Sequence, residues 1–303
     1  MTAELRNRLK PWILPIAMVG GMLFHNLMGF LAPFSPWLIF VMLLITYCKV
    51  NLREFRLTRL SGWLILIQLG ASLALYLALL PINREVAQGA FICVFCPTAT
   101  AAPVITGMLG GSVPRLATFS LVSNFSVAIL APILFTWMNP EAAIGFVDTT
   151  MIISLKVVPL ILGPLAVALL LKITVPKVHG AIASHQSLSF YIWAVSLFIV
   201  VGTAMSYIIN HHDNVAVMSA IAGVSLIVCC LQFYVGRIIG RRCGDKIAGA
   251  QGLGQKNTVL AIWMALTFLH PITSIGPAAY VAWQNTINSL QLYFHARKPK
   301  EGA

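Results

Sequence analysis

The chain has 303 residues, of which 59% are hydrophobic and 9% are charged, and its mean hydropathy is +0.88. Soluble domains carry about 25% charged residues, so the composition excludes a soluble protein and favours a polytopic helical membrane protein. The formal net charge of +12 does not indicate a nucleic-acid partner, because the basic residues collect in the segments expected on one face of the membrane.

In chain order, ten apolar stretches predict ten transmembrane helices and an all-α fold. Their centres lie near residues 21, 42, 71, 97, 125, 161, 199, 227, 256 and 284. Residues 1–145 and 146–303 would form two inverted repeats, because a duplicated half of five spans enters the bilayer in the opposite direction. Spans 4 and 9 then occupy corresponding places, and we expect them to be crossed, discontinuous helices.

The basic residues predict the topology. Apart from Lys156 and Lys256, which fall within spans, only Arg84 is expected outside, and the other lysines and arginines are expected inside. This split follows the positive-inside rule and predicts a multi-pass protein of the inner (plasma) membrane with both termini cytoplasmic. The N-terminal apolar stretch runs past the length of a signal peptide and lacks a clear cleavage site, so we expect it to be the first span.

Helix-breaking sequence interrupts spans 4 and 9. The residues predicted to break the helices are Pro97, Pro103, Gly252 and Gly254. Unwound backbone at membrane depth is tolerated only where it is buried in protein or lines a cavity, and a pair of such breaks points to the binding site of a secondary transporter. The second fragments, beginning near Ala102 and Asn257, would direct free N–H groups at an anion.

Lys256 is the ionisable residue expected deepest in the membrane, where a lysine costs roughly 2.5–3.5 kcal/mol. It could be a structural cation that caps backbone carbonyls, or a site charge that binds the substrate anion, replaces a coupling cation or cycles a proton. Gln68, in span 3, could reach the same region or join two helices through a hydrogen bond. All eight acidic residues fall in loops, tails or span ends, which disfavours a cation/proton antiporter.

The remaining polar residues indicate no cofactor, no metal and no enzyme. Cys93 and Cys96 form a CxxC pair, but no second pair or histidine cluster completes a zinc site. No Ser/His, paired-Asp or HExxH constellation falls within the spans. A sensor or scaffold would not explain two helix breaks.

Two motifs carry a family resemblance. The run from Pro97 to Val104, followed by Gly110-Gly111 and a polar fifth span, and the run from Gly254 to Ala261, followed by Pro277-Ala278, resemble the bile acid:sodium symporter family. The resemblance implies a core domain of spans 3–5 and 8–10 and a panel domain of spans 1, 2, 6 and 7. It also implies alternating-access transport of an organic anion, such as a bile acid, a steroid sulfate or a small carboxylate.

The resemblance also implies the site residues. Substrate contacts are expected at Thr98, Thr100, Pro103, Asn257 and Thr258. Coupling is expected to involve Lys256, Gln68 and Gln255.

The sodium sites depart from the family's pattern. Ala102 and Pro103 stand where the family has a Ser-Asn pair, Gly252 stands where it has a glutamate, and Lys256 stands where it has a glutamine. The degenerate site would comprise Ala102, Pro103, Ser123, Asn124 and Gly252. An ammonium a few ångströms from a sodium ion repels it by roughly 4 kcal/mol at an effective dielectric constant near 20.

We therefore expect a sodium-independent carrier, either a facilitator or proton-coupled through Lys256. A sodium-coupled symporter with relocated ligands and a cation/proton antiporter are the alternatives.

Overall fold

The computed structural model describes residues 13–49, 56–99, 102–138, 145–211 and 215–296. Within these ranges the protein is helical throughout, with fourteen α-helices and a single isolated β-bridge, between Thr98 and Lys256. The first seven helices are α1 (Ile13–Leu23), α2 (Met28–Leu31), α3 (Ser35–Lys49), α4 (Arg59–Leu79), α5 (Arg84–Phe95), α6 (Ala102–Met108) and α7 (Val113–Met138). The others are α8 (Phe146–Thr174), α9 (Pro176–Ser184), α10 (Gln186–His211), α11 (Val215–Arg242), α12 (Lys246–Gly254), α13 (Thr258–Phe268) and α14 (Ile275–Ala296). Short 3-10 turns occupy His25–Leu27, Ala32–Phe34 and Pro271–Ser274.

Six stretches of the described chain are long and apolar enough to cross a membrane. They are His25–Lys49, Arg59–Leu79, Val113–Met138, Phe146–Thr174, Tyr191–Asn210 and Val215–Arg242. Together with the helical content, these stretches confirm a polytopic membrane protein. The ten-span count and the inverted repeat stay predictions.

The expected spans 4 and 9 are each divided into two short helices. α5 has 12 residues and α12 has 9. At 1.5 Å per residue, even α5 is about 18 Å long, against about 30 Å of bilayer hydrocarbon. Neither fragment can cross a bilayer alone.

Three of the four predicted helix-breaking residues lie inside helices. Gly252 is two residues before the end of α12, so this helix continues further than the glycines suggested, and the break falls at 255–257. Pro103 is the second residue of α6, a place that suits proline because the first N–H groups of a helix have no partner within it. Gly254 is the last residue of α12, and Pro97 lies in the first break.

The chain forms two compact units. The first unit consists of the described residues of Met1–Val50, Ala128–Val215 and Ile262–Ser274. Its helices α1 and α10 approach closely at Gly21 and Gly202, where a Cβ atom on either glycine would overlap the opposite backbone. Lys156 is exposed on α8 in this unit.

The second unit consists of the described residues of Asn51–Val127, Ala216–Ala261 and Ile275–Ala303. In this unit α11 and α12 pack backbone to backbone at Gly236 and Gly249. This approach requires glycine on both helices, because a Cβ atom on either residue would overlap the opposite backbone. Asp245 caps α12 by accepting from Ile247 N and Ala248 N. Both helix breaks lie in this unit.

Candidate functional site

The two helix breaks pair with each other inside the second unit. We call residues 96–99 and 255–257 the helix-break pair. Ala99 N donates to Gln255 O over 3.0 Å, and Asn257 N donates to Pro97 O over 2.8 Å. Backbone groups that no helix satisfies therefore find partners in the opposite break, which is the condition for unwound chain in an apolar environment.

Side chains reinforce this pairing reciprocally. Thr98 Oγ1 donates to Gly252 O at 3.0 Å, and Lys256 Nζ donates to Val94 O at 2.7 Å. Each donor reaches a carbonyl near the end of the helix that leads into the opposite break. The two segments pair antiparallel through the bridge between Thr98 and Lys256. Each of these two residues donates to the carbonyl that lies four residues before its partner in the bridge, so the two segments contact each other in an equivalent way.

The last four carbonyls of α5 all accept hydrogen bonds. Only the first of them is satisfied by the local backbone, and the other three require side chains from α4, α11 and the second break. The contacts are Cys96 N to Ile92 O (3.1 Å), Gln232 Nε2 to Cys93 O (3.2 Å), Lys256 Nζ to Val94 O (2.7 Å) and Gln68 Nε2 to Phe95 O (2.7 Å). The end of a helix is left with unpaired carbonyls, and here the tertiary structure satisfies them.

Lys256 is 1% exposed. Its ammonium lies at the carbonyl end of α5, where the helix dipole is negative and favours a cation. No carboxylate in the described part of the chain contacts it, and the side chain of Gln284 holds its backbone by accepting from Lys256 N at 2.9 Å. The ammonium is therefore compensated by helix carbonyls rather than by an ion pair.

Gln68 is oriented by a second hydrogen bond. Ser123 Oγ donates to Gln68 Oε1 at 2.8 Å, which directs the amide nitrogen at Phe95 O and Cys96 O. The three predicted coupling residues, Gln68, Lys256 and Gln255, are thus buried at the same helix-break pair.

Several buried polar atoms at the start of α13 have no hydrogen-bond partner among the described residues. They are Asn257 Nδ2, Thr258 Oγ1 and Gln255 Oε1. Asn257 Oδ1 is engaged, since it accepts from Leu260 N at 3.3 Å. Asn257 Nδ2 and Thr258 Oγ1 therefore offer unpaired donors to a ligand, whereas Gln255 Oε1 offers an acceptor.

The other predicted substrate contacts differ in whether their side chains are free to contact a ligand. The Thr98 hydroxyl is used in the contact with Gly252 O, and Pro103 is half-buried on α6. Thr100 lies outside the described residues.

Curated relatives cover most of the chain. It is 23% identical over 295 residues to the protein named probable sodium/metabolite cotransporter BASS1, chloroplastic, of Oryza sativa subsp. japonica, covering 92% of this chain and 66% of that protein. It is 20% identical over 235 residues to the uncharacterized sodium-dependent transporter YocS of Bacillus subtilis strain 168, covering 73% of this chain and 68% of that protein. The chain is a divergent relative of the bile acid:sodium symporter family. No family model matches it, and it spans about two thirds of the length of these relatives.

The residues predicted to form a degenerate sodium site have few free oxygens. Ala102 is fully buried and apolar. A Cβ atom at Gly252 would lie 3.0 Å from both Leu64 Cδ1 and Phe119 Cδ1. Asn124 Nδ2 donates to Ser120 O at 2.7 Å, and Asn124 Oδ1 has no partner in the described chain.

Sequence reasoning missed three residues that hold the site together. Tyr280 OH donates to Gly254 O at 2.8 Å and accepts from Gln232 Nε2 at 2.9 Å, while Gln284 holds the backbone of Lys256. A signal was present on α14, where Gln284, Asn288 and Gln291 recur at helical spacing on one face of an apolar segment.

Proposed function

We propose that this protein is a secondary transporter of a small organic anion that works by alternating access, with the Lys256 ammonium in place of a coupling sodium ion. The observation that carries the proposal is the buried amine of Lys256, 2.7 Å from Val94 O at the helix-break pair. The anion would be a bile-acid-like molecule, a steroid sulfate or a small carboxylate. No enzymatic step is part of this function.

The ammonium position argues against a sodium ion at the α5 carbonyls. A sodium ion bound to Val94 O or Phe95 O would lie within a few ångströms of Nζ. At an effective dielectric constant of about 20 and a separation of about 4 Å, the repulsion is about 4 kcal/mol, which weakens binding about 1,000-fold. The two relatives are named as a probable sodium/metabolite cotransporter and a sodium-dependent transporter, and this chain would differ from them here.

The packing at Gly252 supports the same conclusion. Leu64 and Phe119 fill the space into which a side chain at this position would project. A carboxylate there would be buried against two apolar side chains, an arrangement that is costly without compensating partners. Position 252 therefore has neither the carboxylate that the family resemblance implies as a sodium ligand nor the space for one.

The start of α13 is the substrate side of the proposed site. Asn257 Nδ2 and Thr258 Oγ1 are buried hydrogen-bonding groups with no partner among the described residues. An anionic oxygen would satisfy them, and the N-terminal dipole of α13 adds to the attraction. Thr98 would act on the substrate indirectly, by fixing the second break through Gly252 O.

The proposed transport cycle uses the architecture that the sequence predicts. Spans 3–5 and 8–10 would form a core domain and spans 1, 2, 6 and 7 a panel domain, within two inverted repeats. The equivalent contacts made by the two halves of the helix-break pair support this duplication. The protein would lie in the plasma membrane with both termini cytoplasmic.

Uptake into proteoliposomes tests the proposal. Purified protein is reconstituted, and uptake of radiolabelled taurocholate, a steroid sulfate and a short carboxylate is measured under an imposed sodium gradient, a proton gradient or neither. We expect uptake of at least one anion with no stimulation by sodium over the potassium control. Stimulation by the proton gradient would show that transport is proton-coupled, and its absence would identify a facilitator.

Substitution of Lys256 separates a transport role from a structural one. Lys256→Gln should abolish proton coupling or weaken anion transport, whereas Lys156→Gln, which removes the same charge from an exposed position on α8, should transport like the wild type. Wild-type uptake by Lys256→Gln and Lys256→Ala would reduce Lys256 to a structural cap.

A sodium-coupled symporter with relocated ligands is the second candidate. Four buried amide oxygens have no partner among the described residues: Asn124 Oδ1, Gln232 Oε1, Gln251 Oε1 and Gln255 Oε1. Amide oxygens can replace part of the hydration shell of sodium. Stimulation of uptake by the sodium gradient would establish this candidate in place of the first.

A further inference from the structure

A second site in the same unit involves residues that the proposed transport mechanism does not use. A cavity of about 710 Å³ lies where the turn between α6 and α7 meets the turn between α11 and α12. The lining includes Ser112, Arg115, Arg241, Gly244, Asp245 and Lys246. Gly244 has a φ of +81°, so the second turn uses a backbone conformation that other residues rarely adopt.

The cavity has a surplus of positive charge. Three of its lining side chains are cationic, those of Arg115, Arg241 and Lys246, and one is anionic, that of Asp245. Both oxygens of Asp245 are engaged by backbone N–H groups: Oδ2 accepts from Ser112 N at 2.8 Å, and Oδ1 accepts from Ile247 N at 3.1 Å and Ala248 N at 2.8 Å. The carboxylate therefore joins the two turns, and the cations remain to attract an anion.

The three cations differ in how firmly they are held. Arg115 is half-buried in the first turn of α7, and its Nη1 donates to Cys243 O at 3.3 Å. One donor of its guanidinium thus fixes the side chain, and four remain for a ligand. Arg241 and Lys246 are exposed, so they are free to close on a bound group.

The location indicates what kind of anion would bind. The cavity lies beside the first residues of Val113–Met138 and the last residues of Val215–Arg242, two of the stretches that qualify as membrane spans. Span ends lie at the level of the lipid headgroups, where basic pockets between helices bind anionic headgroups. Met108 and Val113, which flank the first turn, are 57% and 40% exposed and offer apolar contact to acyl chains.

We infer that this cavity binds the phosphate of an anionic phospholipid headgroup between Arg115, Arg241 and Lys246. The inference does not depend on which anion the protein transports, or on whether it transports one. A lipid held there would tie the α6–α7 turn to the α11–α12 turn through its headgroup, in addition to the Asp245 contact.

Lipid titration tests the assignment. Full-length protein in a zwitterionic detergent is titrated with dioctanoyl phosphatidylglycerol, dioctanoyl phosphatidylcholine or inorganic phosphate, and binding is followed by native mass spectrometry and calorimetry. We expect saturable binding of phosphatidylglycerol, no saturable binding of phosphatidylcholine, and much weaker binding of inorganic phosphate. Arg241→Gln/Lys246→Gln should weaken phosphatidylglycerol binding about 30-fold, from about fivefold for each basic residue near a headgroup.

A matched double variant controls for charge. Arg237 and Arg242 are exposed in the same part of α11 and do not line the cavity, so Arg237→Gln/Arg242→Gln loses the same charge and should bind lipid like the wild type. The charge-preserving variant Arg241→Lys/Lys246→Arg should also bind, which separates binding from misfolding. Equal weakening in both Gln double variants, or equal binding of the two lipids, would overturn the inference. Inorganic phosphate that bound as tightly as phosphatidylglycerol would overturn the lipid assignment in favour of a soluble phosphate compound.

Discussion

The reciprocal contacts of the helix-break pair can be tested by a change of one side-chain group. In Thr98→Val the hydroxyl is replaced by a methyl group of similar size, while the backbone pairing of residues 97–99 is left in place. The hydroxyl donates to Gly252 O at 3.0 Å, and Thr98 is 1% exposed. The substitution therefore leaves the Gly252 carbonyl without this donor in an environment from which water is excluded.

The magnitude follows from the cost of an unsatisfied buried carbonyl. That cost is about 1–3 kcal/mol. In a protein of this size each kcal/mol lowers the melting temperature by roughly 2–4 °C, so Thr98→Val should melt about 2–12 °C below the wild type. Thermal unfolding of the detergent-solubilised protein, followed by intrinsic tryptophan fluorescence, measures the change.

Thr106 provides the control. It is fully buried in α6 of the same unit, and its Oγ1 has no hydrogen-bond partner in the described chain. Because Thr106→Val removes a hydroxyl that has already lost its hydration, it should leave the melting temperature unchanged or raise it. Equal destabilisation of the two variants would refute the idea that the Thr98 contact stabilises the second break.

Three further substitutions test the surrounding packing, each by the same melting assay. Gln68→Leu removes the donor to Phe95 O and should cost about 1–3 kcal/mol; a melting temperature equal to that of the wild type would show that the α5 end does not need this cap. Gly252→Val should cost about 1–3 kcal/mol through overpacking, because its Cβ atom would lie 3.0 Å from Leu64 and Phe119, and Phe119→Ala in the same chain should recover part of the loss. Asp245→Ala removes the cap of α12 and should cost about 0.5–2 kcal/mol, whereas Asp245→Asn should retain most of the stability.

The sequence by itself determined the class of protein and the places where two helices end. Long apolar stretches require a helical membrane protein, since the bilayer offers no partners to the backbone. Pro97 has no N–H to continue a helix, and the polar run after Gly254 interrupts an apolar stretch, so both breaks are local properties of the chain. The burial of Lys256 followed in the same way from its place within such a stretch.

The tertiary structure decided what the breaks do. Lys256 Nζ could have reached a ligand, water or any carbonyl, and its contact with Val94 O joins residues far apart in sequence. Gln232, Tyr280 and Gln284 are ordinary polar residues of helices until folding brings them to the helix-break pair. Gly252 looked like a helix breaker, but α12 continues through it. The close packing of Leu64 and Phe119 accounts for a residue without a side chain at this position. Such contacts depend on which helices become neighbours, and no local pattern in the chain specifies that.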